Sequence, residues 1–159
     1  MEIKIFTDGG ARGNPGPAAV GVVIKKSKSS PREFSTRSKN QKSKIIEEET
    51  IAKFGKKIGV TTNNIAEYQA VIEALTWIKE NLPAPSLQSS VVSFFLDSRL
   101  VVSQLNGIFK VKNPGLRELL FKIRQLEAEV GGSIFYNLIS REENFLADKE
   151  VNLALGQKI

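Results

Sequence analysis

Four acidic residues occupy positions at which a carboxylate can do chemistry. Asp8 ends the first strand pattern, EIKIFTD, and precedes a glycine-rich loop. Asp97 follows the apolar run VVSFFL and is expected at the carboxyl end of a parallel strand, where α/β sheets bind ligands. Glu67 and Asp148 fall within helical patterns. If the first strand lies beside VVSFFL, one edge of the sheet carries Asp8 and Asp97, and the helices can bring the other two acids there.

Each acid also has a purely structural explanation. Asp-Gly is a common turn dipeptide, which would account for Asp8. Asp97 can cap the helix that follows it, and Asp148 can interact favourably with a helix dipole. Glu67 lies on the flank of an apolar helical stripe, from which a long side chain can reach water. Considered one at a time, the acids leave both explanations open.

The residue types that the sequence lacks narrow the chemistry. Its 159 residues include neither cysteine nor histidine, which excludes disulfides, thiol nucleophiles, histidine zinc sites and imidazole acid–base catalysis. Four converging carboxylates would repel one another unless hard divalent cations such as Mg²⁺ neutralised them. The formal net charge of +6 favours a polyanionic partner. Together these features indicate two-metal phosphodiester hydrolysis, in which the ions activate water and stabilise charge on the phosphate.

The glycine-rich stretch at residues 5–16, IFTDGGARGNPG, has a further candidate role as a phosphate-binding loop. A Walker loop ends in Gly-Lys-Ser/Thr, whereas this stretch ends in Gly-Asn-Pro-Gly. A dinucleotide fingerprint must open a helix, which Pro15 and Pro17 oppose. The sequence therefore disfavours a nucleotide phosphate loop here.

The elements that must position the acids are predicted from periodicity. EIKIFTD, AAVGVVIKK and a segment within KIIEEETIAKFGKKIG are expected to form three strands. NNIAEYQAVIEALTWIKENL predicts an amphipathic helix closed by Pro83, and SVVSFFLD predicts a strand covered on both faces. Two helices are expected in SRLVVSQLNG and PGLRELLFKIRQLEAEVGG, a fifth strand in SIFYNLIS and a last helix in NFLADKEVNLAL.

Length and charge pattern predict a single domain over residues 1–159. The hydrophobic content of 41% is sufficient for a core. Residues 25–44, KKSKSSPREFSTRSKNQKSK, carry eight basic residues against one acid and are expected to form a long mobile loop or the tip of an extended hairpin. The N-terminal residues do not form a signal peptide pattern, and no apolar run reaches membrane-spanning length. A cytoplasmic protein is therefore expected.

Four blocks of the sequence together resemble type 1 ribonuclease H. They are FTDGGARGNPGPAAVGVVI, TTNNIAEYQAVIEAL, LDSRLVVSQLNGIFKVKNPGL and REENFLADKEVNLAL, in order and at suitable spacing. The resemblance covers nearly the whole chain apart from the Lys/Ser-rich segment. It implies an α/β fold with a central five-stranded mixed sheet, three antiparallel strands followed by two parallel ones, flanked by helices. It also implies an endonuclease that hydrolyses the RNA strand of RNA/DNA hybrids with two Mg²⁺ ions, for which Mn²⁺ can substitute.

The resemblance implies a role for each site residue. Asp8 would bridge both ions and Asp148 would hold one of them. Glu67 and Asp97 would hold the other ion, on the side of the nucleophile. The expected hybrid-binding residues, which include those that would meet RNA 2′-hydroxyls in the minor groove, are Gly9, Ala11, Arg12, Gly13, Asn14, Asn63, Asn64, Ser98 and Arg99. The protein is expected to be a monomer with no membrane and no obligatory protein partner.

Three features depart from the family pattern. Leu138 stands where many members have a histidine, and Arg99 follows Asp-Ser where Gln or Glu is common. The basic helical protrusion of some bacterial members is missing, as in the shorter archaeal-type branch. Two alternatives remain open: a binding module of the same fold that has lost catalysis, and a nuclease for double-stranded RNA. The four acids favour an enzyme, because clustered carboxylates repel the phosphates of a merely bound nucleic acid.

Overall fold

The computed structural model describes residues 1–28 and 47–156. The described chain forms, in order, β1 (Glu2–Ala11), β2 (Gly16–Lys28), β3 (Glu47–Thr61), α1 (Asn63–Asn81), α2 (Ala84–Gln88), β4 (Val91–Leu96), α3 (Arg99–Leu105), α4 (Pro114–Val130), β5 (Ser133–Leu138) and α5 (Phe145–Ala154). The strands make one five-stranded sheet in the order β3-β2-β1-β4-β5. β1 pairs antiparallel with β2, and β2 with β3, whereas the β1–β4 and β4–β5 pairs are parallel. The predicted fold class is confirmed.

The hydrophobic core lies on the face of the sheet that carries α1. Alternate residues of the central strands, such as Ile3, Ile5 and Phe94, are fully buried there, because strand side chains point to opposite faces in turn. The apolar stripe of α1 packs against them, with Leu75 and Ile78 fully buried. On the opposite face α5 contacts β1, β2 and β3. A helix therefore packs on each face of the sheet near Asp8.

The long helices begin where the sequence carries capping signals. Thr62 caps α1 by accepting a hydrogen bond from the backbone N–H of Ile65. Asn113 caps α4 in the same way, and Pro114 occupies its first turn. Gly131 ends α4 with a φ of +73°, a conformation that favours glycine.

No helix among residues 1–28 and 47–156 is both long and apolar enough to cross a membrane.

The strands differ from expectation in two places. β1 continues to Ala11, so Asp8 lies inside the strand and not at the junction with a loop, because the β1–β2 ladder extends as far as the pair Ala11 and Ala18. β2 continues to Lys28, two residues past the expected strand AAVGVVIKK, so residues 25–28 at the start of the basic stretch are strand, as in an extended hairpin. Residues 29–44 of that stretch lie outside the described residues.

Two further expectations need correction. The short helix α2 was not predicted, since Pro83 and Pro85 indicate only the end of α1, whereas they stand at the start of a five-residue helix. β4 was expected to be covered on both faces, but its side chains alternate between buried and accessible positions, and Val91 is 41% exposed. The accessible face of β4 is not covered in the same way, since α5 packs mainly on β1, β2 and β3.

Candidate active site

Three of the four acids converge where β1 and β4 run side by side. Asp8 projects from β1, Asp97 follows β4 directly, and Glu67 lies in the N-terminal part of α1. One carboxylate oxygen from each of them can be chosen so that all three lie within 4.8 Å of one another. Such a group of oxygen donors can bind a hard divalent cation.

Asp148 reaches the same cleft from the other face of the sheet. It lies in the first turn of α5 and lines, with the other three acids, a cleft of about 590 Å³. Its charge contributes to raising the pKa of Asp8, as expected for an acid nearby, but its oxygens lie outside the close group of three. The structure thus separates the acids into a cluster of three and a fourth beside it.

Gly9 allows α1 to approach the sheet. A Cβ atom on this residue would lie 2.2 Å from the carbonyl carbon of Ala66, so the backbone of α1 passes directly over β1. Gly9 directly follows Asp8, and Glu67 directly follows Ala66. The close packing of these two residues therefore brings Glu67 near Asp8. The glycine after Asp8 is therefore explained by close packing within a strand, not by a turn.

Gly21 plays the corresponding part on the other face. It is paired with Asp8 in the β1–β2 ladder, and a Cβ atom on it would lie 2.1 Å from the carbonyl oxygen of Ala147 in α5. Because Ala147 directly precedes Asp148, this close approach places Asp148 over the β1–β2 pair, which carries Asp8.

Burial and mutual repulsion favour the protonated forms of the cluster. Desolvation, followed by the charges of Asp97, Asp148 and Glu67, raises the pKa of Asp8 to about 8, although the Gly9 N–H opposes the shift. Desolvation and the charge of Asp97 likewise raise the pKa of Glu67 to about 7.

Two neighbours of Glu67 partly offset the rise in its pKa. The guanidinium of Arg141 and a hydrogen bond from Ser98 both lower its pKa. Ser98 also caps α3 by accepting from the N–H of Val101. A divalent cation would relieve the remaining repulsion, and the all-oxygen donor set suits a hard ion such as Mg²⁺ or Mn²⁺.

Two asparagine side chains connect the turn after β1 to the start of α1 by hydrogen bonds. The Oδ1 of Asn14 accepts from the N–H of Asn63 at 3.0 Å, and the Oδ1 of Asn63 accepts from the N–H of Ala11 at 2.9 Å. Within the described residues their Nδ2 groups make no hydrogen bond, which leaves these donors available. The two side chains expected to bind substrate therefore also hold the cleft wall together.

The expected substrate-binding residues divide by their position. Those that line the cleft are Gly9, Ala11, Arg12, Asn63, Asn64 and Ser98. Gly13 and Asn14 lie in the exposed turn behind it, and Arg99 opens α3 with its side chain outside the cleft lining. Leu138, in place of the family histidine, pairs with Leu96 at the end of β5 and is 44% exposed.

Sequence reasoning missed three residues around Asp148. The fully buried Asn144 donates through Nδ2 to the carbonyl oxygen of Thr7 at 2.9 Å and to Oδ2 of Asp97 at 3.3 Å. Arg141 and Asn152 both line the cleft. The block REENFLADKEVNLAL contains all three, but its periodicity indicated only Asp148.

The sheet order, the acids on β1 and after β4, and the helix on each face define the ribonuclease H-like fold class. The family model described as "Reverse transcriptase-like" matches residues 6–154. The chain belongs to the type 1 ribonuclease H family.

Individual relatives are similar over different lengths. The "Bifunctional protein Rv2228c" of Mycobacterium tuberculosis is 33% identical over 98% of this chain, which spans 36% of that relative's length. "RNase H1" from Halobacterium salinarum has a similar structure, with 30% identity, a TM-score of 0.74 and 98% of each chain covered. LC11-RNase H1, solved in complex with an RNA/DNA hybrid, is 38% identical with a TM-score of 0.76, over 96% of this chain and 95% of the other.

Proposed function

We propose that this protein is an endonuclease that hydrolyses the RNA strand of RNA/DNA hybrids. The observation that carries the proposal is the close group formed by Asp8, Glu67 and Asp97 in a cleft whose lining also includes glycines and short polar side chains. LC11-RNase H1, which has a similar structure, was solved with an RNA/DNA hybrid. The family resemblance and the chemistry of the cleft support the same substrate.

The donor set supports a site for two Mg²⁺ ions, with Mn²⁺ as a substitute. Asp8 belongs to the close group with Glu67 and Asp97, and the charge of Asp148 also raises its pKa. It is therefore the acid best suited to bind both ions. Bound ions would activate the attacking water and stabilise charge on the phosphate. The protein's part is to hold four carboxylates in place against their repulsion.

The other cleft residues would bind and orient the hybrid. The free amide donors of Asn63, together with Asn64 and the backbone around Ala11, can reach the 2′-hydroxyls exposed in the shallow minor groove. Arg12 and Arg141 add positive charge near the acids, where phosphates must approach. The four acids all come from one chain, which supports action as a monomer, and a hybrid substrate is compatible with a cytoplasmic location.

The test compares labelled substrates at equal concentration. We expect cleavage of the RNA strand of a hybrid with Mg²⁺ or Mn²⁺, none in EDTA, and little cleavage of single-stranded RNA or DNA duplex. Asp8→Asn purified in parallel controls for contaminating nuclease. Hybrid binding without cleavage in either metal would replace the proposal with a binding module. Equal rates on double-stranded RNA would show that the enzyme does not select hybrids.

A further inference from the structure

A side-chain bridge crosses the cleft from the turn after β1 to α5. The Nη2 of Arg12 donates to Oδ1 of Asn152 at 3.4 Å, and Nδ2 of Asn152 donates to Oδ2 of Asp148 at 3.3 Å. The bridge joins a residue of the proposed substrate-binding turn to a proposed metal ligand. Both distances are long for hydrogen bonds, so either one can tighten or release when ligands bind.

The bridge ends on Asp148, the acid that stands apart from the other three. It is exposed and lies outside the close group of three carboxylates. Within residues 1–28 and 47–156, the hydrogen bond from Asn152 is the only one that its side chain makes. The two residues are four positions apart on α5, a spacing at which helix side chains meet.

The orientation of α5 makes the bridge possible. Asp148, Val151, Asn152 and Leu155 share the helix face that lines the cleft. Val151 also packs at ordinary van der Waals distance from where a Cβ of Gly10 would lie. The helix therefore presents Asn152 to Arg12 because of how it packs on β1.

We propose that Asn152 is a positioning residue that orients the carboxylate of Asp148. It thereby couples metal binding at Asp148 to the hydrogen bond that Arg12 donates. An amide whose oxygen accepts a charged hydrogen bond is a stronger donor through its nitrogen, so Arg12 reinforces the hold on Asp148. Metal and hybrid then influence each other's affinity through one side chain, and this coupling is reciprocal. The inference rests on the proposed function for its ligands.

The first test measures Mn²⁺ binding to the free protein by calorimetry. Asn152→Leu keeps the shape of the side chain and removes both hydrogen bonds, and we expect it to weaken Mn²⁺ binding roughly tenfold, as for other residues that orient metal ligands. Leu153→Ala, on the outer face of α5, controls for general effects on the helix. Equal Mn²⁺ affinity in Asn152→Leu and the wild type would overturn the inference.

The second test separates positioning from a structural role. Asn152→Leu should need more metal for half-maximal cleavage and recover the wild-type kcat at saturating Mn²⁺. A lower kcat at all metal concentrations, with unchanged half-activation, would contradict positioning. In a double-mutant cycle, the effect of Arg12→Ala on Mn²⁺ binding should differ between the wild type and Asn152→Leu, because the hydrogen bond from Arg12 acts through Asn152. Strictly additive effects would remove Arg12 from the bridge.

These measurements distinguish the two proposals. Failure of the wild-type protein to cleave hybrids, with Mn²⁺ binding still dependent on Asn152, would reject the proposed function and leave the positioning role in place. Normal hybrid cleavage with Mn²⁺ binding and half-activation unaffected by Asn152→Leu would reject only the positioning role.

Discussion

Among the carboxyl groups of the described residues, Asp8 has the pKa that the fold raises most. Desolvation and three neighbouring acids raise its pKa from 3.8 to about 8, so in the metal-free protein this carboxyl is largely protonated at neutral pH. A divalent ion bound there must displace the proton, and metal binding is therefore expected to release protons and to strengthen as pH rises. Cleavage should likewise increase toward alkaline pH, and the chain has no histidine that could produce a transition of its own.

The first prediction concerns Asp8→Asn, in which cleavage should fall to background. Because the folded-state pKa of Asp8 exceeds the unfolded value, the stability it contributes is full below about pH 4 and is lost as pH rises to about 8. The variant has no such proton to lose. Its advantage in melting temperature in EDTA should grow across that interval and then level off, as thermal unfolding at several pH values would show. A variant less stable than wild type at pH 9 would contradict this.

The second prediction compares two asparagines of the cleft wall. Asn14→Ala leaves the N–H of Asn63 without its partner and should cost roughly 0.5–1.5 kcal/mol of folding stability as well as weakening hybrid binding. Asn64→Ala should weaken hybrid binding by about 1 kcal/mol with little effect on stability, because within the described chain its side chain makes no hydrogen bond. Denaturant unfolding and fluorescence anisotropy would measure both. Loss of Mn²⁺ binding in Asn14→Ala, with hybrid affinity unchanged, would require a different role for the turn.

At the scale of elements, α5 rests on glycines from three neighbouring strands. A Cβ on Gly21 or Gly55 would lie 2.1 Å or 2.3 Å from a carbonyl oxygen of α5, and Gly10 faces the same helix. Glycine usually weakens a strand, but here it lets a helix lie close to the sheet. The depth of this groove decides how near Asp148 comes to Asp8.

The third prediction uses two of these glycines as a matched pair. Gly21→Ala must push the backbone of α5 away and should cost roughly 1–3 kcal/mol of stability, with a further loss of Mn²⁺ affinity. Gly10→Ala meets only a methyl group of Val151, at 3.5 Å, and should be nearly neutral in stability. Chemical denaturation of both variants tests the comparison. Equal stability of the two variants would mean that α5 can move away from the sheet with no loss in the free energy of unfolding.

The elements were predictable from sequence because their signals are local. The apolar periodicity of α1 and α4 and the caps beside them specify those helices without knowledge of the sheet. The extension of β1 past Asp8 was not predictable, since Gly9 and Gly10 look like turn residues until β2 pairs with them. The five-residue α2 is too short to show a period.

The site was predictable only in part, for a related reason. The four acids could be found because each stands beside an element boundary or on a helix flank. The buried Asn144 was missed because its partner Thr7 lies 137 residues away, and the bridge through Asn152 because Arg12 lies 140 residues away. Sequence patterns carry little information about contacts of that range.

At the scale of the whole molecule, charge is distributed unevenly. The net charge is +6, while the cleft that would receive a polyanion contains four acids. Residues 29–43 carry four basic residues and one acid. Positive charge outside the acids must therefore supply the long-range attraction to phosphates, with divalent ions neutralising the acids.

The fourth prediction removes residues 29–43 and joins the ends with a short Gly/Ser turn. If that segment holds nucleic acid, the slope of log K against log salt should flatten by roughly one unit for each phosphate that the shortened protein no longer neutralises. Cleavage at saturating substrate should survive, because the four acids lie outside the deletion. Hybrid binding titrated at several salt concentrations provides the measurement. An unchanged slope would mean that the segment is only a solvated connection.

The position of α5 also determines when the protein becomes competent during its synthesis. Three of the acids have been synthesised once Asp97 is added, but Asp148 follows about 50 residues later, roughly 3–10 s at ordinary ribosomal speed. Until α5 packs against the glycines of β1, β2 and β3, a nascent chain lacks one of the four proposed metal ligands. Chains that end before that helix would lack Asp148, so the proposed nuclease site is the last part of the described fold to be completed.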